Sequence, residues 1–313
     1  MAAGLDAATD ARLLQLYVDG QEVPIVLSTD SGRLRTSDTL EFYALPLDTP
    51  TTDTRVYWLI TGQTAGKRIA GKRGKAKAIE AGPTSSFDFT VERRDKFLYF
   101  SNLLNGDAEN IFGEPVFNEP LDQTLAVRNF SPSGSSQPQL EVALQGLTSG
   151  PHQVQLQLNG ANLGIMNFAD RNHSIEKFAI SPSLLREGDN VVSLVSQSDS
   201  DFSLVDWIRL TYPRQYRAEN NSLRFTTPAG EVVQVDGFNN ADVRVVDITN
   251  PDAPMQLLPF VTASQGAYAV RVQAAGSGVR TLLAFTANAS APSASLTPNQ
   301  PSAWYATTNS ADM

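Results

Sequence analysis

The chain has 313 residues, with 24 basic against 33 acidic side chains for a net charge of −9, and no cysteine. Lacking any thiol, it can form no disulfide, no thiolate metal site and no cysteine nucleophile, and its acidity argues against nucleic acid as the main partner, because phosphates must be met by Lys and Arg. Apolar residues make up 41% and charged residues 18%, enough for packed cores in two or three domains of about 100–200 residues each.

No apolar run approaches the roughly 18 residues that a membrane helix needs. The opening Met1-Ala2-Ala3-Gly4-Leu5-Asp6 has neither the basic nor the apolar region of a secretory signal, so it reads as the start of an internal segment. Helical signal is confined to Ala7–Gln15, Lys96–Asn102 and Ser181–Leu185. Everywhere else short runs alternate with period two and end at Gly, Pro, Asn or Asp, the pattern of strands.

In chain order, the first group is Leu14–Val18, Val23–Leu27, Leu40–Tyr43 and Arg55–Ile60, with Asp19-Gly20 as a hairpin turn between the first two. Within Arg55–Ile60, Tyr57 and Trp58 are expected to face a core, as is Trp207 further on. Lys67, Arg68, Lys72, Arg73, Lys75 and Lys77 follow as a basic cluster. It lacks the spacing of a phosphate loop and reads as a solvated hairpin tip, open to tryptic cleavage. A second group comprises Leu125–Asn129, Gln139–Gln145, His152–Leu158, Ile175–Ile180, Asn190–Val195 and Ser203–Tyr212. In Gln153-Val154-Gln155-Leu156-Gln157-Leu158 the apolar members are predicted to face the core and the amides water, with Asn159-Gly160 turning the chain. A third group, Leu223–Thr226, Glu231–Val235, Val243–Ile248, Ala267–Val272 and Thr281–Thr286, precedes a Pro- and Ser-rich linker. Many short strands without a 20–50-residue repeat imply an all-β sandwich or barrel architecture.

Four phrases carry a resemblance. They are Thr52-Asp53-Thr54-Arg55-Val56-Tyr57-Trp58-Leu59 with Gly66-Lys67-Arg68-Ile69; Leu103 to Gly113; Val205-Asp206-Trp207-Ile208-Arg209-Leu210-Thr211-Tyr212-Pro213-Arg214; and Val235-Asp236-Gly237-Phe238 with Asp247-Ile248-Thr249-Asn250-Pro251. In order and spacing they resemble the non-catalytic region that precedes the peptidase domain in gingipain-like cysteine peptidases, and residues 116–215 are similar to the galactose-binding-like jelly rolls of carbohydrate-binding modules. The resemblance implies a non-enzymatic accessory region of a secreted or cell-surface bacterial protein. Its partners would be the protein's own downstream peptidase-like domain and a glycan or protein substrate. The implied division is an N-terminal β domain at 13–115, the jelly roll at 116–215, a β domain at 216–290 that pairs with the first, and a linker at 291–313. The alternatives are a carbohydrate-binding module and a profragment that inhibits its own protease.

In some modules of that kind an Asp on the last strand helps hold a structural calcium ion. That role would fall to Asp206, with Asp107 and Glu109 as partners. The plainer reading has Asp206 capping a turn or pairing with Arg209 or Arg214. Phe168 and Phe202, near turns, are the candidates for stacking on a sugar ring. No residue is assigned a catalytic role. His152 and His173 have no Gly-x-Ser-x-Gly elbow to serve and are expected at the surface or in turns, while Asp199 and Asp201 are expected in a solvated turn.

Overall fold

The computed structural model describes residues 4–6, 8–29, 31–49, 52–71, 78–104, 106, 108–264, 266–292 and 295–300, the Ser264 side chain excepted. It is all-β, and among the described residues there is no α-helix. The three segments with helical signal contain instead the 3₁₀ turns Ala11–Leu13 and Pro182–Leu184 and, in the middle one, the strand Leu98–Tyr99. Each apolar run there is too short to bury the face of a helix, and isolated short helices are marginal in water.

The central body is a sandwich of two antiparallel sheets. One sheet orders Pro115–Val116, Ser203–Gln215, Gln139–Gly146 and His173–Ala179; the other orders Leu121–Val127, Gly188–Ser196, Pro151–Leu158 and Ala161–Ala169. Val154, Leu156 and Leu158 point between the sheets as their alternation predicts, meeting Leu140, Val142, Leu144, Ile208 and Leu210 from the facing side. The strand Pro151–Leu158 is returned by Asn159 and Gly160 at φ 51° and 84°. Both angles are left-handed, as a two-residue turn matching the twist of the strands requires.

A second sandwich follows. Ser222–Pro228, Val279–Thr286, Val243–Asp247 and Met255–Leu257 form one layer, and Val232–Phe238, Ala267–Gln273 and Phe260–Ser264 the other. Phe225, Val233, Val235, Val245, Val270 and Leu282 fill its interior. Burial pushes the Tyr216 phenol there up to about 12.

The amino-terminal residues make a smaller module. Leu14–Val18 pairs with Gln21–Val23 on one side and Trp58–Thr61 on the other. The predicted run Val23–Leu27 is split at Pro24: Ile25–Leu27 leaves the first hairpin and pairs with Leu40–Phe42, since proline has no N–H to continue a ladder. Leu14, Leu16 and Ile25 are its buried core, with Tyr57 and Leu59 packed on them. Trp58, expected inward, is 50% exposed; its neighbours Tyr57 and Leu59 take the core side, so parity turns it outward.

The strand Ser86–Arg93 connects the bodies. It runs antiparallel to residues 208–215 of the long strand Ser203–Gln215, which makes it a member of the jelly-roll sheet although it lies within the 13–115 segment. Phe87 is buried in the second sandwich, and Phe89 packs against both cores. Further links between the 13–115 and 216–290 segments are the parallel pairing of Ala70–Gly71 with Met255–Leu257, the Glu41–Arg244 ion pair, and the Gly82 N–H donating to the Val232 carbonyl at 2.7 Å.

Candidate functional site

At one end of the jelly roll, parity along Pro151–Leu158 puts His152 on the same face as Val154. The imidazole is therefore buried, 1% exposed, and not at the surface as its position beside a turn suggested. Its ring stacks on Phe168 with centroids 4.5 Å apart. Nε2 lies 2.9 Å from the Asp170 carbonyl and 3.2 Å from that of Thr148. Both are acceptors, so Nε2 carries a hydrogen and donates. Nδ1 is hydrogen-bonded to Asp201 Oδ1, and Asp201 Oδ2 accepts the Gln153 N–H at 2.8 Å. Asp201, read from sequence as part of a solvated turn, is 4% exposed. Gly146 makes room for this arrangement: a Cβ there would run into the Asp170 carbonyl and crowd Nε2.

A buried His–Asp pair invites comparison with a hydrolytic dyad. There the nitrogen opposite the carboxylate must be free to take a proton from a nucleophile. Here that nitrogen is a donor to two carbonyls, so the pair fastens the loops at 146–150, 168–172 and 198–203 to one another.

On the outer face of the other sheet, charged groups form a continuous chain. Lys96 Nζ meets Asp48 at 2.7 Å and Glu109 at 3.2 Å; Arg94 Nη2 meets Glu109 at 3.1 Å, and its Nε lies 3.5 Å from Asp206. His173 Nε2 completes the chain 2.8 Å from Asp206 Oδ2. The hydrogen bond to Asp48 raises the Lys96 ammonium above its usual range, and Lys96 in turn lowers Asp48. Asp206 and Glu109 are thus both brought to one guanidinium. The partners expected for Asp206 turn elsewhere, Arg209 to Glu92 and Arg214 to Glu219, because Asp206 is the extra residue where the pairing of Gln139–Gly146 with Ser203–Gln215 shifts register. Asp107 lies outside the described residues. Among the described residues no group of three or more His, Asp or Glu side chains is placed to hold a metal ion. Asp206 faces His173 and Arg94, and Glu109 faces Arg94 and Lys96; two carboxylates so engaged are a poor fit to the roughly six to eight oxygen ligands of calcium.

Of the two aromatic candidates, Phe168 is half-buried under the imidazole and Phe202 is half-buried with its edge to Phe117, whose own ring is exposed. Trp207 is buried, with the Arg209 guanidinium 3.9 Å above its ring. Of the basic cluster only Lys67 and Arg68 are described. Arg68 donates to the carbonyls of Ala11 at 2.8 Å, Arg12 at 3.1 Å and Leu14 at 3.2 Å, which ties it into the amino-terminal module. Lys72, Arg73, Lys75 and Lys77 lie outside the described residues.

No protein-family model matches the chain and no curated protein matches it. Solved structures do. The crystal structure of dimeric latent PorU from Porphyromonas gingivalis is similar over 96% of this chain and 31% of that chain, at 12% identity and a TM-score of 0.65. The chain therefore spans about a third of the PorU chain, and the likeness is one of fold. A CBM36 carbohydrate-binding module in complex with calcium and xylotriose matches 39% of this chain and 98% of its own at 14% identity, with a TM-score of 0.26. The CBM22 tandem from Paenibacillus barcinonensis Xyn10C matches 67% and 92% at 12% identity, also at 0.26.

Proposed function

We propose that the chain is a non-catalytic accessory region of a secreted or cell-surface bacterial protein, serving as a scaffold or recognition surface for a peptidase-like domain encoded beside it. The observation that carries this reading is the similarity to PorU over 96% of the chain at a TM-score of 0.65. It spans the amino-terminal module and both sandwiches together, where a lone binding module would share only the jelly roll. The phrases resembling gingipain-like peptidases point the same way. So does the chemistry: with no thiol in the chain and the His152 nitrogens committed to Asp201 and two carbonyls, nothing described assembles a nucleophile with its base. Phe87 and Phe89 couple the two sandwiches through packed cores, the rigidity that a bracing element needs.

The test is to produce the peptidase-like domain of the parent protein with and without this region. Covalently joined or mixed in trans, the region should raise the domain's melting temperature and co-elute with it, while the isolated chain should cleave no peptide. Peptide turnover by the isolated chain, or a domain indifferent to its presence, overturns the proposal.

A further inference from the structure

Leu98–Tyr99 pairs antiparallel with Ile111–Phe112 as a short ribbon. It lies on the jelly roll through Leu103, Phe112 and Leu204. Beside that contact, Asn102, Leu103, Leu104, Gln145 and Arg171 wall an open recess of about 260 Å³. Sites for drug-sized ligands occupy roughly 300–1,000 Å³, so this one suits a single residue or a chain end.

The chemistry of its walls is selective. Gln145 is 3% exposed, and its Nε2 donates to the carbonyls of Gly146 at 3.1 Å and Arg171 at 2.7 Å. With both amide hydrogens engaged, the acceptor Oε1 is what this buried side chain offers to the recess it lines. Arg171 is anchored through Nε to the Leu147 carbonyl at 3.3 Å. Arg171 meets no carboxylate among the described residues and is exposed, so its Nη groups are available at the recess it lines. Leu104, 99% exposed, stands at the rim as an apolar surface in water.

We infer that this recess binds the carboxyl-terminal residue of a peptide or protein, one with an apolar side chain. The Arg171 fork takes the terminal carboxylate in the bidentate geometry that guanidinium favours. Gln145 Oε1 accepts that residue's peptide N–H, and Leu103 and Leu104 cover its side chain. The inference stands on the recess alone and is independent of the accessory role, since the ligand can be supplied to the isolated chain.

Fluorescence polarisation with fluorescein-Gly-Ser-Gly-Ala-Leu and the intact 313-residue chain tests it. Binding should saturate, and amidating the peptide's carboxylate or substituting Arg171→Gln should each weaken it about tenfold or more. Leu104→Ser should weaken it to a smaller degree, and an amidated peptide carrying an internal Asp should bind no better than the plain amide. The comparison of acid with amide needs no variant, so it holds even if Arg171→Gln unfolds. Equal binding of acid and amide, full affinity in a folded Arg171→Gln chain, an internal Asp that substitutes for the terminus, or no saturable binding would overturn the assignment.

Discussion

Among the described residues the apolar core cluster of the jelly roll has nineteen buried members, whereas that of the amino-terminal module has three, Leu14, Leu16 and Ile25. At about 25 cal/mol for each Å² of apolar surface removed from water, the first can hold itself together by burial and the second cannot to the same degree. What the module has in addition is polar. Arg68 donates to three carbonyls around the first 3₁₀ turn, and Asp10 caps that turn by accepting the Arg12 N–H at 2.9 Å. Hydrogen bonds that knit backbone ends together do in the small module what apolar volume does in the large one.

The contrast can be broken at its strongest point first. Asp201→Ala leaves the buried His152 ring without its carboxylate, and removing one member of a buried pair costs about 3–5 kcal/mol. Urea denaturation should show that loss; a change under 1 kcal/mol, as expected of a surface pair, would mean that apolar burial alone carries the jelly roll. Next, Leu156→Ala, at a fully buried site, should lower stability by about 3 kcal/mol in the same assay. Leu16→Ala, in the small core, should cost about 2 kcal/mol at most, the low end of such substitutions. Hydrogen exchange should locate its effect: amides of Leu14–Val18 should exchange faster while those of Pro151–Leu158 are unchanged. Equal acceleration in both would show that the two regions open together.

The smallest effect depends on pH. The Arg12 side-chain hydrogen bond, and after it the Arg12 N–H, hold the Asp10 carboxyl down to about 2, below its ordinary value of about 3.9. A depressed folded value means that the contribution is complete above the unfolded value and is lost as pH falls through the folded one. Between about pH 4 and pH 2 the parent chain should therefore lose more stability than Asp10→Asn. Parallel stability curves for the two chains would show that the cap is not felt.

Much of the jelly roll was legible where its strands alternate: Val154, Leu156 and Leu158 are inside, and Asn159-Gly160 adopts the left-handed angles that its residues allow, as Asp19-Gly20 does in the amino-terminal module. The same parity sets His152 on the inward side with Val154. Asp201, its partner, was beyond reach, 49 residues away on a loop whose Ser-Asp-Ser-Asp composition reads as solvent-facing. Trp58 was misplaced because Val56-Tyr57-Trp58-Leu59-Ile60 is apolar on both faces, so alternation is silent there. The Arg94–Asp206 pair depended on a shift in strand register, and the recess depended on how the ribbon of Leu98–Tyr99 and Ile111–Phe112 lies; no local pattern encodes either.

The strand Ser86–Arg93 turns a question of orientation into one of counting. Successive side chains on it point to opposite sides, and Phe87 and Phe89 share the side that serves both cores. Were this strand to slip by one residue against Ser203–Gln215, Ser86 and Asp88 would be presented to those cores instead. The seam between the two sandwiches is therefore specified by strand register, because a one-residue slip would set polar side chains against two apolar cores.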